Sequence, residues 1–470
     1  MPDKFLYNDV ESATPQESLS DAARNNLQCN ILTSTRRYYS KQLFVRFENK
    51  ADFQRWLLAL PQVTSASEQG RGSKDVNLLF SYAGLAKLEL AEADLKQMDR
   101  SFRCGARSEP TRKRLRDAPP DAAWGKHAQG WDAALLVHSS TDDPLPAELL
   151  ALPEDSLVEE GNSLDRNRHV VTDATEKEGR FNVFGYKDGI STNVYEGPIP
   201  PFDSYDPRRK LSTLLTRDPC ADGAAFGSYF VFRKYEQDVD TFRGRVEEIA
   251  HAIEVRRKDE RQTLVPLEER YTNFAGLVGD ALREEIKSWL MGRSTEGVPL
   301  GRTTANDYTL RDDPKAVRCP FHAHTAKMNP RGRTGDDAAE AELSIARRGI
   351  SYGHGESKPQ GSLFWCAQAS IDGQFERLLE EGANDQNVDV GSDPNPDFDD
   401  VVGRAPVEGP FEVVSDPYPD IPRYQRWKST IDIDFSVWSA ISLRGAEYFF
   451  APSALGIAAL KASAEEAVKS

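Results

Sequence analysis

Four short strings hold residue types that could do chemistry together. Gly185-Tyr186-Lys187-Asp188-Gly189 brackets a carboxylate with two glycines, the make-up of a turn whose backbone comes close to something bulky. Asp188 could meet a ligand there, or be the solvated member of an ordinary Asp-Gly turn. Cys319-Pro320-Phe321-His322-Ala323-His324, followed by Lys327 and Asn329-Pro330-Arg331, holds two of the chain's seven histidines one residue apart. A Cys-x-x-His-x-His cluster is compatible with zinc, but structural zinc takes four ligands and no second Cys/His pair stands at a matching spacing. An axial ligand to a haem iron needs only one neutral imidazole, its other nitrogen held by an acceptor. Arg347-Arg348-Gly349-Ile350-Ser351-Tyr352-Gly353 offers guanidinium groups that stay charged at any working pH. Such a group stabilises negative charge developing on a breaking O–O bond, although a surface arginine pair before a turn is the plainer reading. Gly361 to Ile371, with Gln374, Phe375 and Glu376, reads as a core strand running into a helix.

These strings need elements to position them. Gln42–Phe47, Val76–Tyr82 and Ala134–His138 are β-rich runs, and Phe53, Trp56, Leu57 and Leu60 recur at helical spacing. A similar order restarts later. Ser228–Phe232 and Leu363–Ala367 are strand-like, Val239, Phe242, Val246, Ile249 and Ile253 mark one face of a helix, and Phe375, Leu378 and Leu379 fall at helical spacing. Two halves with the order strand, helix, strand predict a duplicated α+β unit and not an alternating parallel sheet. The boundary falls near Arg217-Asp218-Pro219. This gives a polar, flexible arm over 1–24, a first half over 25–218 that carries the Gly-x-x-Asp-Gly string, and a second half over 219–470. Residues 381–410 read as an irregular surface loop that reaches a site, and the alanine-rich tail as a terminal helix.

Bulk properties remove several classes of function. A chain of 470 residues exceeds one ordinary core. No run approaches the roughly 18–20 apolar residues that span a bilayer, and the N-terminus shows no secretory signal. Five cysteines without tight spacing argue against a disulfide scaffold, so a reducing cytoplasm is expected, with encapsulation or non-classical export left open. The formal net charge of −16 repels nucleic-acid phosphates. The basic run Arg112–Arg116 reads as a solvated loop or helix end.

Taken in order, the strings resemble the long-chain members of the dye-decolourising peroxidases. Phe184 to Ser191 is similar to that family's Gly-x-x-Asp-Gly signature, Cys319 to Arg331 to its proximal-histidine motif, and Arg347 to Gly353 to its distal-arginine segment. Leu27–Leu32, Gly227–Lys234, Trp289–Arg293 and Tyr448–Ser453 resemble further family segments, so the likeness covers roughly residues 25–460. Departures are Cys29 where glycine is usual, Thr192-Asn193 where Gln-Pro is frequent, and the extra His322, which a two-residue alternation would place on the same side as His324.

The resemblance implies two ferredoxin-like α+β halves in a dimeric α/β-barrel-like arrangement, with one haem b per chain in the C-terminal half. It makes His324 the axial iron ligand, favoured over His322, and Asp188 and Arg347 the catalytic groups. Gly189, Ile190, Arg331, Arg347, Leu363, Trp365 and Asp399 are expected around the cofactor, with Leu363 and Trp365 lining the distal side. Asp399 is favoured as the carboxylate behind His324, with Asp400 and Glu408 as alternatives. The implied activity uses hydrogen peroxide to oxidise bulky aromatic substrates, dyes and phenols, by one-electron steps through a ferryl intermediate. Trp365 and Tyr352 are candidates for carrying electrons to the surface. A haem-storage, haem-delivery or iron-release protein on the same fold is the alternative, and the joint presence of Asp188 and Arg347 favours catalysis. A monomer or homodimer is expected. The segment Leu455–Lys461 faintly resembles a shell-docking peptide but is read as a domain-ending helix.

Overall fold

Strand-forming runs rich in Val, Leu, Phe and Tyr set the architecture. The computed structural model describes residues 19–145, 152–172, 179–190, 192–197, 208–221, 225–259, 274–303, 307–314, 316, 318–333, 335–355, 359–384, 388–390, 393–395, 399–404 and 435–469. The strands of the first half are β1 (Tyr39–Val45), β2 (Lys74–Phe80), β3 (Ala133–Ser139) and β4 (Leu157–Asn162). Those that follow are β5 (Thr216–Arg217), β6 (Phe226–Gln237), β7 (Ala346–Arg347), β8 (Ile350–Tyr352), β9 (Gly361–Gln368), β10 (Val388–Val390), β11 (Asp393–Asn395) and β12 (Ile441–Ala451). One sheet runs β4-β1-β3-β2-β12-β6-β9-β7, with β5 on β6 and β8 on β9, while β10 and β11 pair separately. Every pairing is antiparallel. The strands of the first half therefore form one flank and the later ones the other. They meet where Phe450 of β12 faces Phe80 of β2.

The sheet curls until its edges approach: a Cβ placed at Gly161 of β4 would meet Ile350 of β8 at 2.4 Å. Period-two alternation then sorts side chains into an inner and an outer layer. Phe44, Phe230, Phe232, Trp365 and Phe449 fill the inside, with Phe44 and Trp365 stacked at 6.0 Å. Leu43, Phe80, Val231, Cys366 and Tyr448 point outward under the helices. Burying each such side chain contributes roughly 1.5–3 kcal/mol, so both layers give the site a stiff backing.

Helices α1 (Asp21–Asn26), α2 (Lys50–Ala59), α3 (Glu109–Leu115), α4 (Val239–Asp259), α5 (Gly279–Met291), α6 (His324–Met328) and α7 (Ala454–Lys469) surround the sheet. Phe53 and Leu57 of α2 and Ile457 and Leu460 of α7 join the outer layer. Phe375, Leu378 and Leu379 lie on two π-helical segments, Ile371–Glu376 and Leu378–Ala383, and not on the α-helix their spacing suggested.

Three further expectations are corrected. Of the arm placed over 1–24, residues 1–18 lie outside the described residues, and Asp21–Arg24 lie in α1, capped by Ser20 and anchored by buried Leu19 and Ala23. The basic run ends helix α3, as one of its two readings had it, but it is only partly solvated: Lys113 is exposed, whereas Arg114 bonds Asp372 and the fully buried Glu376, and Arg116 donates to the Arg404 carbonyl. The boundary near 218 also cuts across the packing. Leu164, Val183, Phe184 and Tyr186 join the core of α4 and α5, where Phe184 stacks on Phe242 at 4.2 Å and the Tyr186 hydroxyl donates to the Lys287 carbonyl. The Gly-x-x-Asp-Gly segment thus belongs to the second half by contact, although it precedes that half in sequence.

All five cysteines are free, and Cys104 alone is exposed. Burial pushes the Cys319 thiol up to about 11 and raises those of Cys29, Cys220 and Cys366 as well. Thiol reagents attack the thiolate. The native protein is therefore expected to take up one equivalent of a disulfide-exchange reagent and the denatured protein five. A second equivalent consumed at the native rate would contradict this burial.

Candidate active site

Asp188 is presented by a turn that only its glycines allow. Gly185 (φ 85°) and Gly189 (φ 73°) both hold left-handed backbone, the first at the turn closed by Asn182, the second directly after the carboxylate. The Asp188 N–H donates to the Arg180 carbonyl, and Arg293 donates to the Lys187 carbonyl. The Asp188 side chain is exposed, and its Oδ1 accepts from the Gly189 N–H at 2.8 Å.

Arg347 comes from the short edge strand β7 and reaches back to the same turn, donating to the Ile190 carbonyl at 3.2 Å. Its side chain has accessible surface. Burial nevertheless pushes its guanidinium below the ordinary value, and the negative charge of Asp188 opposes that shift. Both facts hold together for a side chain packed among protein groups that keeps part of its surface in solvent. Behind it, Arg348 is buried and donates to the carbonyls of Asn30, Ile31 and Arg347. With no carboxylate beside it, burial lowers the Arg348 guanidinium to about 10. This clasp explains why the Leu27–Leu32 string accompanies the arginine pair.

His324 is the first residue of α6 and keeps a side-chain exposure of 24%, whereas Asp399 is fully buried. Asp399 Oδ2 lies 2.8 Å from His324 Nδ1, while its Oδ1 accepts from the N–H groups of Val401 and Val402. Burial alone would raise the Asp399 carboxyl; His324 and the two main-chain donors outweigh it and hold the group below its ordinary value. Of the alternative partners, Asp400 bonds His322 at 2.5 Å, and Glu408 lies outside the described residues. Arg331 is buried with its guanidinium over Tyr308. It donates to the carbonyls of Thr325 and Asn329, which braces the end of α6.

Leu363 and Trp365 are not on the site's side of β9. Arg347 sits opposite Cys366, and directly opposed residues share a face. Leu363 and Trp365, 0% and 1% exposed, therefore point into the inner layer, where Trp365 donates to Gln42. The residues that share the Arg347 face are Ser362 and Phe364, both half-buried, with Tyr235 of β6 paired to Ser362. Sequence reading missed these three. The useful signal was strand alternation counted from Cys366.

A flat apolar group fits this surrounding. Half-buried apolar side chains stand on each element that carries a polar group: Ile345 before Arg347, Met328 on the helix of His324, Val402 after Asp399, and Phe364 on β9. An imidazole with one nitrogen already bonded to a carboxylate is the donor set that a haem iron takes. His324, Asp399, Arg347 and Asp188 are therefore the residues that would hold haem and face its ligand.

Fold and site together define an oxidoreductase of the peroxidase kind, built on ferredoxin-like halves. Comparison with known proteins agrees. The chain is 27% identical to the multifunctional dye peroxidase DyP2 of an Amycolatopsis species, over 91% of this chain and 94% of that one. It is 26% identical to a dye-decolorizing peroxidase of Mycena epipterygia, over 97% and 90%. Among solved structures it is similar to a DyP-type peroxidase of Anabaena, at TM-score 0.73 and 25% identity, covering 96% of this chain and 99% of that one. The Amycolatopsis DyP2 structure gives TM-score 0.72 and 25% identity, covering 97% and 100%. No family model matches the chain. Over nearly its whole length the chain is therefore similar to dye-decolourising peroxidases. No helix among the described residues is long and apolar enough to cross a membrane.

Proposed function

We propose that the chain is a haem peroxidase that uses hydrogen peroxide to oxidise bulky aromatic compounds, dyes and phenols, in one-electron steps, with one haem b per chain. The observation that carries this reading is the His324–Asp399 imidazole–carboxylate pair, and the Arg347 guanidinium on the Asp188 turn, bonded to the Ile190 carbonyl and exposed to the Asp188 charge, supports it. Bound haem supplies the iron that meets peroxide and the store of oxidising equivalents. The chain supplies the rest. His324 would hold the iron through Nε2, because Nδ1 is committed to Asp399. Asp399 fixes that tautomer and makes the imidazole a stronger donor. Asp188 would accept a proton from one peroxide oxygen and return it to the other, which leaves as water. The Arg347 guanidinium faces the negative charge that builds up as the O–O bond breaks. Tyr235, Ser362 and Phe364 complete the wall on the Arg347 side.

The test is the absorption spectrum of the haem-loaded protein before and after one equivalent of hydrogen peroxide, for wild type and His324→Ala. A histidine-type ferric spectrum that changes with peroxide, and is lost or altered in the variant, is expected. A haem spectrum indifferent to peroxide would overturn the enzymatic reading in favour of a carrier. Failure to take up haem would overturn the cofactor assignment.

A further inference from the structure

The sequence departs from its family's pattern at His322, and the structure gives that residue its own carboxylate. Two histidines, two residues apart, pair one to one with two adjacent aspartates: His322 Nδ1 with Asp400 Oδ2 at 2.5 Å, and His324 Nδ1 with Asp399 Oδ2 at 2.8 Å. A main-chain bond runs alongside, from the Asp400 N–H to the His322 carbonyl at 3.3 Å. The His322 ring is buried, with Trp289 and Phe435 about it at centroid distances of 6.1 and 6.4 Å. His322 therefore packs into the core, while His324, the first helical residue, keeps an accessible edge.

Asp399 is otherwise tied to other parts of the chain. Its N–H donates to the Ala383 carbonyl, and its own carbonyl accepts from Gly403 and from the Trp438 indole. Of the bonds described for the 399–400 peptide, those that fix its distance from the 322–324 turn are the two to His322 and the one to His324 itself. That separation sets the length of the His324–Asp399 hydrogen bond. The length in turn sets how much electron density the imidazole passes to whatever Nε2 binds.

We propose that His322 and Asp400 are positioning residues for the proximal ligand, a second clasp that holds Asp399 at bonding distance from His324 and so tunes the iron. This rests on the reading of His324 as axial ligand. His322 and Asp400 need touch neither haem nor substrate.

The test uses the haem-loaded full chain in its ferrous state. The readouts are the iron–histidine stretching frequency by resonance Raman and the Fe(III)/Fe(II) midpoint potential by spectroelectrochemistry. Asp399→Asn serves as the reference and should lower the frequency and raise the potential. His322→Phe is expected to shift both in the same direction, by part of that amount. His322→Gln, whose amide can still donate to Asp400, should stay near wild type. Asp400→Ala keeps the main-chain bond and loses only the side-chain one, and it should shift as His322→Phe does, so it decides the matter if the phenylalanine variant does not fold. Wild-type frequency and potential in His322→Phe or Asp400→Ala, with Asp399→Asn shifted, would overturn the proposal and leave the axial-ligand reading standing. No iron–histidine band in the wild type would overturn that reading and the proposal with it.

Discussion

Replacing Asp188 by asparagine is expected to slow the reaction with hydrogen peroxide by about 10²–10⁴-fold, the usual worth of a positioned acid–base group. The substitution is nearly isosteric. An asparagine oxygen can still accept from the Gly189 N–H, so the turn held by Gly185 and Gly189 keeps its shape. What disappears is the ability to take up and return a proton. Stopped-flow mixing of the ferric protein with peroxide measures the step directly. Haem content and the iron–histidine band should match wild type, because Asp188 is remote in the chain from His324 and Asp399. A variant that reacts at the wild-type rate would mean that the proton travels by another route.

Arg347→Leu is expected to cost about 10²–10³-fold in the same rate constant, as for loss of a donor aimed at developing negative charge. Arg347→Lys should fall between, since an ammonium keeps the charge but not the planar fork. The leucine variant also removes the donor to the Ile190 carbonyl, which frees the turn beside Asp188. The two effects therefore share a structural cause. The double variant with Asp188→Asn should lose less than the product of the single losses, because groups acting on one step are not additive. Full multiplicativity would show that Asp188 and Arg347 act on separate steps.

Much of this site was legible because its groups sit at fixed points of short strings. The turn around Asp188 was readable from its two glycines, and the structure gives both the left-handed backbone that such a turn needs. The strands were readable as apolar runs. The faces of β9 were not, because the strand is apolar on both sides and covered on both, so nothing in Leu363-Phe364-Trp365-Cys366 says which residues look outward. That choice is made by the pairing of Cys366 with Arg347, a contact between distant parts of the chain. His322 was expected beside His324 on a two-residue alternation. The alternation ends where α6 begins, at His324 itself. Asp399 was reached through family register alone, since an Asp-rich stretch read locally is a surface loop. Its burial is created by Ala383, Gly403 and Trp438. The partner of Arg114 was invisible for the same reason: Glu376 lies 262 residues away.

The place of β12 in the sheet bears on how the protein is made. Ribosomes deliver this strand after all the others, yet it takes a central position, between β2 and β6. A nascent chain that stops short of Ile441 lacks the hydrogen-bonded ladder between the two flanks and is left with side-chain contacts such as Trp365 to Gln42 and Arg348 to Ile31. Arg348, moreover, is bonded to Asn30, 318 residues earlier. The support of the arginine pair thus comes from residues made long before it, and the sheet's central ladder from residues made long after. The ladder that joins the two flanks behind this site therefore forms only once β12 has been made.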